Sequence, residues 1–331
     1  MKRMIIVGAG TMARLRARAL LATGEVEIVG VAARHLPRAQ AFGAEVGCAR
    51  CVDDYRRLTE AEPAAVLVEV PHAAQDDIVL WALEQKLHVL IGGVLAGTSA
   101  NAGRIRDAAA AGALVVEAGF EARYAGAWIE AKRMADAGEL GRIVAVRSIA
   151  LWGGDPATWY YDQEASGGMP LTHMTYCFVN PLRWLLGDPL LVSAFANRVL
   201  HTGPGLVREE SCVANLLFKD DVLGSLTAGF VKPGNVPGWS VTLLGTQAAV
   251  EVCPCENGDP GRLVIYRGEA TEDRECAGPN AFHAQARAFV RALGGHNACR
   301  NGPAETVGDV RVAEALVAST REQRVVTPPP R

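Results

Sequence analysis

Residues 4–9 form an apolar run that leads into Gly8-Ala9-Gly10-Thr11-Met12-Ala13, and a helical stretch follows. An uninterrupted apolar run predicts a strand that is buried on both faces, as in a parallel sheet. At such a junction the first glycine permits a tight turn, the second lets a pyrophosphate approach the backbone, and Ala13 gives close helix–strand packing. The helix N-terminus adds unpaired N–H groups and the positive end of its dipole. The sequence therefore predicts a dinucleotide site whose contacts are Gly8, Gly10, Thr11, Met12 and Ala13.

Strand-like and helical stretches alternate at short spacing through the first third of the chain. Further buried strands are predicted at residues 26–32, 64–70, 87–91 and 114–116. Such alternation is typical of a doubly wound parallel sheet. The fold class is therefore α/β: an N-terminal Rossmann domain over residues 1–121, then a C-terminal α+β domain over residues 122–331.

The second domain is predicted to hold a large, mostly antiparallel, open-faced sheet, because its strand-like stretches are joined by turn residues with little helix between them. Its strands are predicted at residues 143–151, 192–199, 212–218, 223–231, 240–244, 248–252 and 263–267. Helices are predicted at residues 171–186, 282–293 and 306–320. A wide apolar sheet face is normally covered, so we expect a homodimer or a homotetramer.

Composition excludes several classes of partner. The 33 basic residues face 36 acidic ones, which argues against nucleic-acid binding. No stretch reaches the roughly 18 consecutive apolar residues of a membrane span, and residues 4–9 are too short for a signal sequence. We therefore expect a cytoplasmic protein with a small-molecule substrate. The eight cysteines include the pairs Cys48/Cys51 and Cys253/Cys255, but neither has a second pair close by, so no metal site is expected.

The end of the second predicted strand bears on the choice of cofactor. An NAD site usually has an acidic residue there for the ribose hydroxyls. This chain has Ala32-Ala33-Arg34-His35 instead. An arginine at this point can pair with a 2′-phosphate, so NADP is favoured over NAD. The alternative is that Arg34 is only a solvated side chain.

Over nearly its full length the chain resembles the Gfo/Idh/MocA oxidoreductases, the family of glucose–fructose oxidoreductase and inositol dehydrogenase. Residues 64–71 resemble the family's strand-to-proline segment beneath the nicotinamide, and residues 86–91 resemble the strand before its catalytic lysine. Residues 119–124 resemble its domain junction, while residues 166–168 and 182–187 flank its active-site helix. The resemblance implies a Rossmann domain followed by an open-faced sheet. It also implies cofactor contacts at Pro71, His72 and Gly93.

The chain departs from the family at the residues that handle the proton. Where the family has Glu-Lys-Pro, this sequence has Gly92-Gly93-Val94. On the active-site helix, His173 takes the place of the usual Asp, Cys177 that of the usual His, and Asn180 that of a further Asp. These replacements argue against a standard sugar dehydrogenase. Reduction of an imine or a conjugated system needs less from the protein, because the cofactor performs the difficult step.

His173 is the predicted proton-transfer residue, because an unperturbed imidazole titrates near pH ~6.5; the alternative is a hydrogen-bonded core histidine. Cys177 lies one helical turn later on the same face and is a candidate substrate contact. Residues 152–162 are rich in aromatic side chains, which predicts a wall for a flat or ring-shaped substrate that includes Trp159 and Tyr161. Arg123 is a candidate anchor for a carboxylate, or a partner for Glu117 or Glu121.

Two acids in apolar surroundings remain, Glu69 and Glu117, and each is a candidate partner for a cationic substrate. The sequence as a whole predicts an oxidoreductase that transfers hydride between NADP or NAD and a C=O or C=N group of a small ring-containing substrate. One alternative is a dinucleotide-binding sensor or regulator without catalysis. Another is a hydrolase that keeps its cofactor bound.

Overall fold

The computed structural model describes residues 1–232, 234, 238–255, 257–296 and 299–329, apart from the side chain of His173. The chain forms two compact units. The nucleotide unit comprises Met1–Phe120 and Phe282–Val307, and the sheet unit comprises Glu121–Ala281 and Gly308–Arg331.

The nucleotide unit is built on a parallel sheet, as the apolar runs predict. Its strands are β1 (Lys2–Val7), β2 (Val26–Ala32), β3 (Cys51–Val52), β4 (Ala65–Val68), β5 (His88–Ile91) and β6 (Val116–Glu117). They are arranged in the order β3-β2-β1-β4-β5-β6, and every pair is parallel. Since β1 lies between β2 and β4, the chain reverses its direction of winding next to the Gly8 turn. In open α/β sheets, ligands bind at the carboxyl end of the strands at this point.

Helices connect these strands and supply the apolar core of the unit. They are α1 (Thr11–Leu21), α2 (Leu36–Glu45), α3 (His72–Glu84) and α4 (Ser99–Gly112), with a 3₁₀ helix at Tyr55–Ala61. A later helix, α8 (Ala281–Ala292), packs its apolar face into the same core through Phe282, Ala286, Phe289 and Val290. The predicted division after residue 121 places this segment in the second domain. The structure differs because these apolar side chains are buried in the nucleotide unit.

The sheet unit confirms the predicted second half. Its strands are β7 (Ile143–Leu151), β8 (Leu191–Asn197), β9 (Ser211–Leu217), β10 (Leu223–Gly229), β11 (Trp239–Gly245), β12 (Ala249–Cys253), β13 (Arg262–Arg267) and β14 (Ala270–Glu275). Their order is β14-β13-β12-β11-β7-β10-β9-β8. Within the described part of this sheet, only β7 and β10 pair in parallel, and the other neighbours are antiparallel.

Helices and short 3₁₀ turns complete the sheet unit. They are α5 (Gly126–Asp136), α6 (Gln163–Ser166), α7 (Asn180–Leu186) and, from Gly308 onward, α9 (Pro303–Glu322), with 3₁₀ turns at Glu121–Tyr124 and Lys219–Asp221. The predicted helix 171–186 is in fact a π-helix, Pro170–Val179, that continues into α7. π-helical turns are rare in proteins, and those that occur are often found at functional sites. Within the described ranges, no helix is long and apolar enough to cross a membrane.

Candidate functional site

The glycine turn after β1 has the geometry that the sequence motif predicts. Gly8 has φ +116°, a conformation that side-chain-bearing residues rarely adopt. A Cβ at this position would lie 1.9 Å from the carbonyl oxygen of Glu69, so only glycine fits. Gly10 precedes α1 in extended conformation, and a Cβ added there meets nothing within 4 Å. Ala13 is fully buried in the core.

This N-terminus of α1 fits a dinucleotide pyrophosphate. The first turn contains no acidic side chain, and the Gly10 cap makes no side-chain hydrogen bond. The first N–H groups and the helix dipole therefore face open space beside Gly10, where an anion is favoured. Thr11 is exposed and Met12 is partly buried at the same turn. Of the five predicted residues of the motif, Gly10 and Thr11 are exposed at the helix N-terminus, whereas Ala13 is buried beneath it.

The other predicted cofactor contacts follow neighbouring strands. Arg34 is exposed two residues after the end of β2. Pro71 caps α3, and His72 is buried in its first turn. The Nε2 atom of His72 lies 3.7 Å from the position of a Cβ on Gly93. The structure therefore places His72 and Gly93 side by side after β4 and β5.

Glu69 lies at the centre of this edge and is paired with Arg16. Its Oε1 lies 2.7 Å from Nε of Arg16, whose side chain is 2% exposed. Burial raises the pKa of the Glu69 carboxyl, and the Arg16 guanidinium opposes that rise. Glu117, the second candidate acid, is fully buried and accepts hydrogen bonds from Gln285 and Asn301. Both acids have partners of their own within the nucleotide unit.

In the sheet unit, Arg123 belongs to a buried polar network. Its Nε donates to Oδ1 of Asn180 at 3.0 Å, and its Nη2 donates to the Asn180 carbonyl at 3.1 Å. Asn180 in turn donates to Oδ2 of Asp309 at 2.7 Å, and Arg183 donates to Oδ1 of Asp309 at 2.5 Å. The guanidinium of Arg123 also lies 5.9 Å from the ring of Trp184. The structure therefore brings the predicted anchor together with Asn180, one of the residues that replace the family's acids.

The π-helix carries the predicted proton-transfer residue. The side chain of His173 lies outside the described part of the structure, so its catalytic role stays a prediction. Cys177 is buried on the same helix. The hydroxyl of Thr175 donates to the carbonyl of Pro170 at 2.7 Å, five residues earlier in the chain.

The aromatic segment after β7 forms a cluster of stacked rings. Trp159 stacks on Tyr160 with 4.1 Å between the ring centroids, and Tyr160 meets Trp152 edge-on at 5.4 Å. Tyr161 is fully buried instead. Its hydroxyl lies 3.2 Å from the carbonyl oxygens of Gly154 and Phe230. Trp159 is partly exposed, so of the two predicted wall residues it is the one with surface left for a ligand.

A second histidine, which the sequence did not single out, lies against this cluster. The ring of His201 is 5.0 Å from that of Tyr161, and its Nδ1 lies 2.5 Å from Oε1 of the buried Glu210. The Glu210 carboxylate also accepts the backbone N–H groups of Val199, Leu200 and His201. A carboxylate that orients an imidazole leaves the other ring nitrogen able to give or take a proton. In the sequence, the adjacent acids Glu209 and Glu210 hint at a polar site, but nothing near them indicates that His201 is the partner of Glu210.

Glu209 and Glu210 are adjacent and buried, but their carboxyl pKa values are shifted in opposite directions. The Oε2 of Glu209 has no hydrogen-bond partner among the described residues, and burial raises the pKa of this carboxyl. Burial, helped by the charge of Glu209, raises the pKa of the Cys212 thiol to about 12. Burial also acts on Glu210, but the hydrogen bonds from Leu200, Val199 and His201 prevail and lower its pKa.

Opposite effects on stability are expected at these two positions. An unfolded glutamate has a pKa near ~4.3. The pKa of Glu209 is raised in the folded protein. The folded state therefore favours the protonated carboxyl, and this contribution to stability is lost as the pH rises above ~4.3 and through the folded pKa. Glu209→Gln should therefore raise the melting temperature at pH 8 by about 2–4 °C for each kcal/mol recovered, with little gain at pH 4.

The neighbouring change, Glu210→Gln, is the matched comparison. Glu210 has a lowered pKa, so its stabilising contribution is present above pH ~4.3 and lost as the pH falls through the folded pKa. Loss of hydrogen bonds to a charged group should cost about 1.5–3 kcal/mol at pH 8. Thermal unfolding from pH 4 to pH 9 measures both variants. Shifts of the same sign at pH 8 would contradict the assignment.

Family models match both parts of the chain. The model described as "Oxidoreductase family, NAD-binding Rossmann fold" matches residues 2–120, and the "GFO/IDH/MocA C-terminal domain" model matches residues 128–251. A comparison with curated proteins gave no match.

Groups of three or more His, Cys, Asp or Glu side chains that could hold a metal are absent from the described residues.

Solved structures with the same fold extend over nearly the whole chain. Levoglucosan dehydrogenase in complex with NADH is 18% identical, with 99% of each chain covered and a TM-score of 0.88. Aldose-aldose oxidoreductase from Caulobacter crescentus is 21% identical, with 98% of this chain and 99% of that chain covered and a TM-score of 0.85. An NAD-binding oxidoreductase from Klebsiella pneumoniae is 17% identical, with both chains fully covered and a TM-score of 0.87. The TM-scores establish a shared fold, and at sequence identities this low the likeness shows the fold alone.

Proposed function

Because this chain belongs to the Gfo/Idh/MocA oxidoreductases, we propose that it is an NADP-preferring oxidoreductase that acts on a C=O or C=N group of a small ring-containing substrate. The observation that carries the proposal is the open, acid-free N-terminus of α1 behind Gly8 and Gly10. An opening of this kind, at the winding reversal of a parallel sheet, is a dinucleotide site.

The residues of the nucleotide unit divide the cofactor between them. The N–H groups at the start of α1 would hold the pyrophosphate, and the exposed Arg34 would pair with the 2′-phosphate. Pro71, His72 and Gly93 would lie at the nicotinamide end. When bound, the nicotinamide supplies or accepts the hydride, so the protein has to handle only one proton.

The chemistry assigned to the protein follows from the residues that replace the family's set. Glycines stand at positions 92 and 93, so no lysine is available there for a sugar hydroxyl. His173 gives the proton to the oxygen or nitrogen that is reduced, and Cys177 contacts the substrate. Trp159, stacked on Tyr160, offers a flat face to a ring, and the buried Tyr161 packs against Phe230 in the same cluster. Arg123 holds a substrate carboxylate only if it leaves Asn180.

The preference for NADP is tested at Arg34. Removing a charge-assisted bond to a phosphate costs about 1.5–3 kcal/mol, which is roughly a 10- to 150-fold loss of affinity. Arg34→Ala should weaken NADPH binding by that factor and change NADH binding less than twofold, as measured by cofactor fluorescence. Arg106→Ala, an exposed arginine paired with Asp107 on α4, is the control. Equal losses for both cofactors would overturn the assignment.

Catalysis is tested by incubating the protein and NADPH with cyclic ketones, cyclic imines and bilins while following absorbance at the nicotinamide band. Oxidation of NADPH by at least one substrate is the expected result, and His173→Ala should slow it at least tenfold, since general acid catalysis typically contributes about 10²–10⁴-fold. NADPH binding should be unchanged in this variant. Binding without oxidation of any substrate would favour the sensor alternative.

A further inference from the structure

The side-chain space of residue 92 is filled by Glu69. A Cβ on Gly92 would lie 2.0 Å from Cδ of Glu69, and 2.1 and 2.3 Å from its two carboxylate oxygens. Contacts this short do not occur between real atoms. A side chain at position 92 therefore requires the Glu69 carboxylate to leave the place in which Arg16 holds it.

The register of the sheet explains why these two positions coincide. Strands β4 and β5 are parallel neighbours in which Val68 pairs with Ile91. Glu69 and Gly92 are the next residues of their strands, and the Gly92 N–H donates to the carbonyl of Val68 at 2.8 Å. A side chain from either strand thus reaches the same point at the carboxyl edge. The resemblance to the family places a glutamate at position 92, so this chain has its carboxylate on the neighbouring strand instead.

Arg16 ties this carboxylate to the rest of the edge. In addition to its ion pair with Glu69, its Nη2 donates to the carbonyl oxygens of Gly92 at 3.1 Å and Gly119 at 2.6 Å. Its Nη1 donates to Gln285 on α8 at 2.6 Å. Burying a guanidinium is costly unless its partners are well placed. The pair therefore fixes the backbone at the ends of β5 and β6 as well as at β4.

The same pair adjoins the cofactor turn. The backbone of Glu69 lies against Gly8, whose Cβ would strike its carbonyl oxygen, and its N–H donates to Val7 at the end of β1 at 2.8 Å. On the other side, Gly93 follows Gly92 and adjoins His72. Glu69 therefore lies between the Gly8 turn, which its backbone contacts, and Gly92-Gly93, whose first residue its carboxylate adjoins.

We propose that Glu69 is a positioning residue of the cofactor site, a carboxylate displaced from position 92 to position 69, which acts through Arg16 to hold the strand ends that bind the dinucleotide. The link to the cofactor rests on the proposed function. The displacement that the variants test is the filling of the side-chain space of residue 92 by Glu69, which depends only on the packing of Glu69, Gly92 and Arg16.

Reciprocal variants test the displacement through thermal unfolding. Glu69→Ala leaves Arg16 without its carboxylate, and Gly92→Glu adds a side chain where Glu69 stands, so each should lower the melting temperature by at least 5 °C. The double variant returns one carboxylate to the same space and should melt at least 4 °C above the less stable single variant. Additive losses in the double variant would overturn the displacement. Glu60→Ala, which removes an exposed carboxylate of the same unit, is the control.

Affinity for NADPH and NADH, measured well below the melting temperatures, tests the positioning role. Glu69→Gln keeps the shape of the side chain and is expected to remain folded while weakening NADPH binding about tenfold; the double variant should recover at least threefold relative to Glu69→Ala. Unchanged affinity in Glu69→Gln and Glu69→Ala would overturn the positioning role. If the wild-type protein binds neither cofactor, the proposed function and the positioning role both fail, while the unfolding data still decide the displacement.

Discussion

Replacing Gly8 with alanine is expected to destabilise the nucleotide unit severely, whereas the same change at Gly10 should spare stability and abolish cofactor binding. At Gly8 the backbone has φ +116° and the new Cβ would lie 1.9 Å from a main-chain oxygen, which cannot rotate away. Backbone strain of about 1–3 kcal/mol adds to overpacking of about 1–3 kcal/mol. At about 2–4 °C for each kcal/mol, we expect the melting temperature to fall by roughly 10 °C.

At Gly10 the expected effects are reversed. The residue has φ −84° and ψ −179°, which alanine adopts readily, and its Cβ would meet nothing within 4 Å. Stability should change by no more than about 1 kcal/mol, the usual scale of N-cap substitutions. The methyl group would, however, occupy the space through which a pyrophosphate approaches the backbone. NADPH affinity should fall at least a hundredfold.

Two measurements on the same pair of variants separate these effects. Calorimetric unfolding reports stability without cofactor, and titration with NADPH reports binding. If Gly10→Ala binds NADPH as the wild-type protein does, the opening at α1 is not the pyrophosphate site. If Gly8→Ala has the same melting temperature as the wild-type protein, the turn is not as tightly packed as the structure shows.

The parts of this protein that could be predicted from the sequence are those with a local signal. The glycine turn depends on six consecutive residues, and β7 has the predicted bounds of 143–151. The edge strand β14 was missed because its side chains are almost all polar and exposed. The π-helix was expected as an ordinary helix, since an apolar pattern does not distinguish a π-helical turn from an α-helical one.

The contacts that assemble the candidate site have no local signal. The Glu69 side chain lies beside Gly92 because of the register in which β4 and β5 pair. Asn180 and Asp309 are 129 residues apart in the chain. Buried partners at such separations depend on the packing of whole elements, which periodicity and spacing do not describe.

The Arg183–Asp309 pair gives the second large effect. Both side chains are almost completely buried, and the Arg183 guanidinium donates to Oδ1 of Asp309 at 2.5 Å. A Cβ on Gly308 would lie 2.1 Å from Nη2 of Arg183, so the guanidinium is closely enclosed. Asp309→Ala leaves this charge without its main partner and also removes the acceptor of Asn180.

Breaking a buried pair from one side costs about 3–5 kcal/mol, so Asp309→Ala should lower the melting temperature by roughly 10 °C. The same guanidinium offers its own control, because its Nε donates to Asp188 at 2.6 Å and that carboxylate is 38% exposed. Water reaches the Asp188 carboxylate and screens its charge, although Arg183 is buried, so Asp188→Ala should lower the melting temperature by no more than about half as much as Asp309→Ala. Calorimetry on both variants makes the comparison. Similar losses would show that burial of Asp309, and with it the network that holds Asn180 and Arg123, does not govern the stability of the sheet unit.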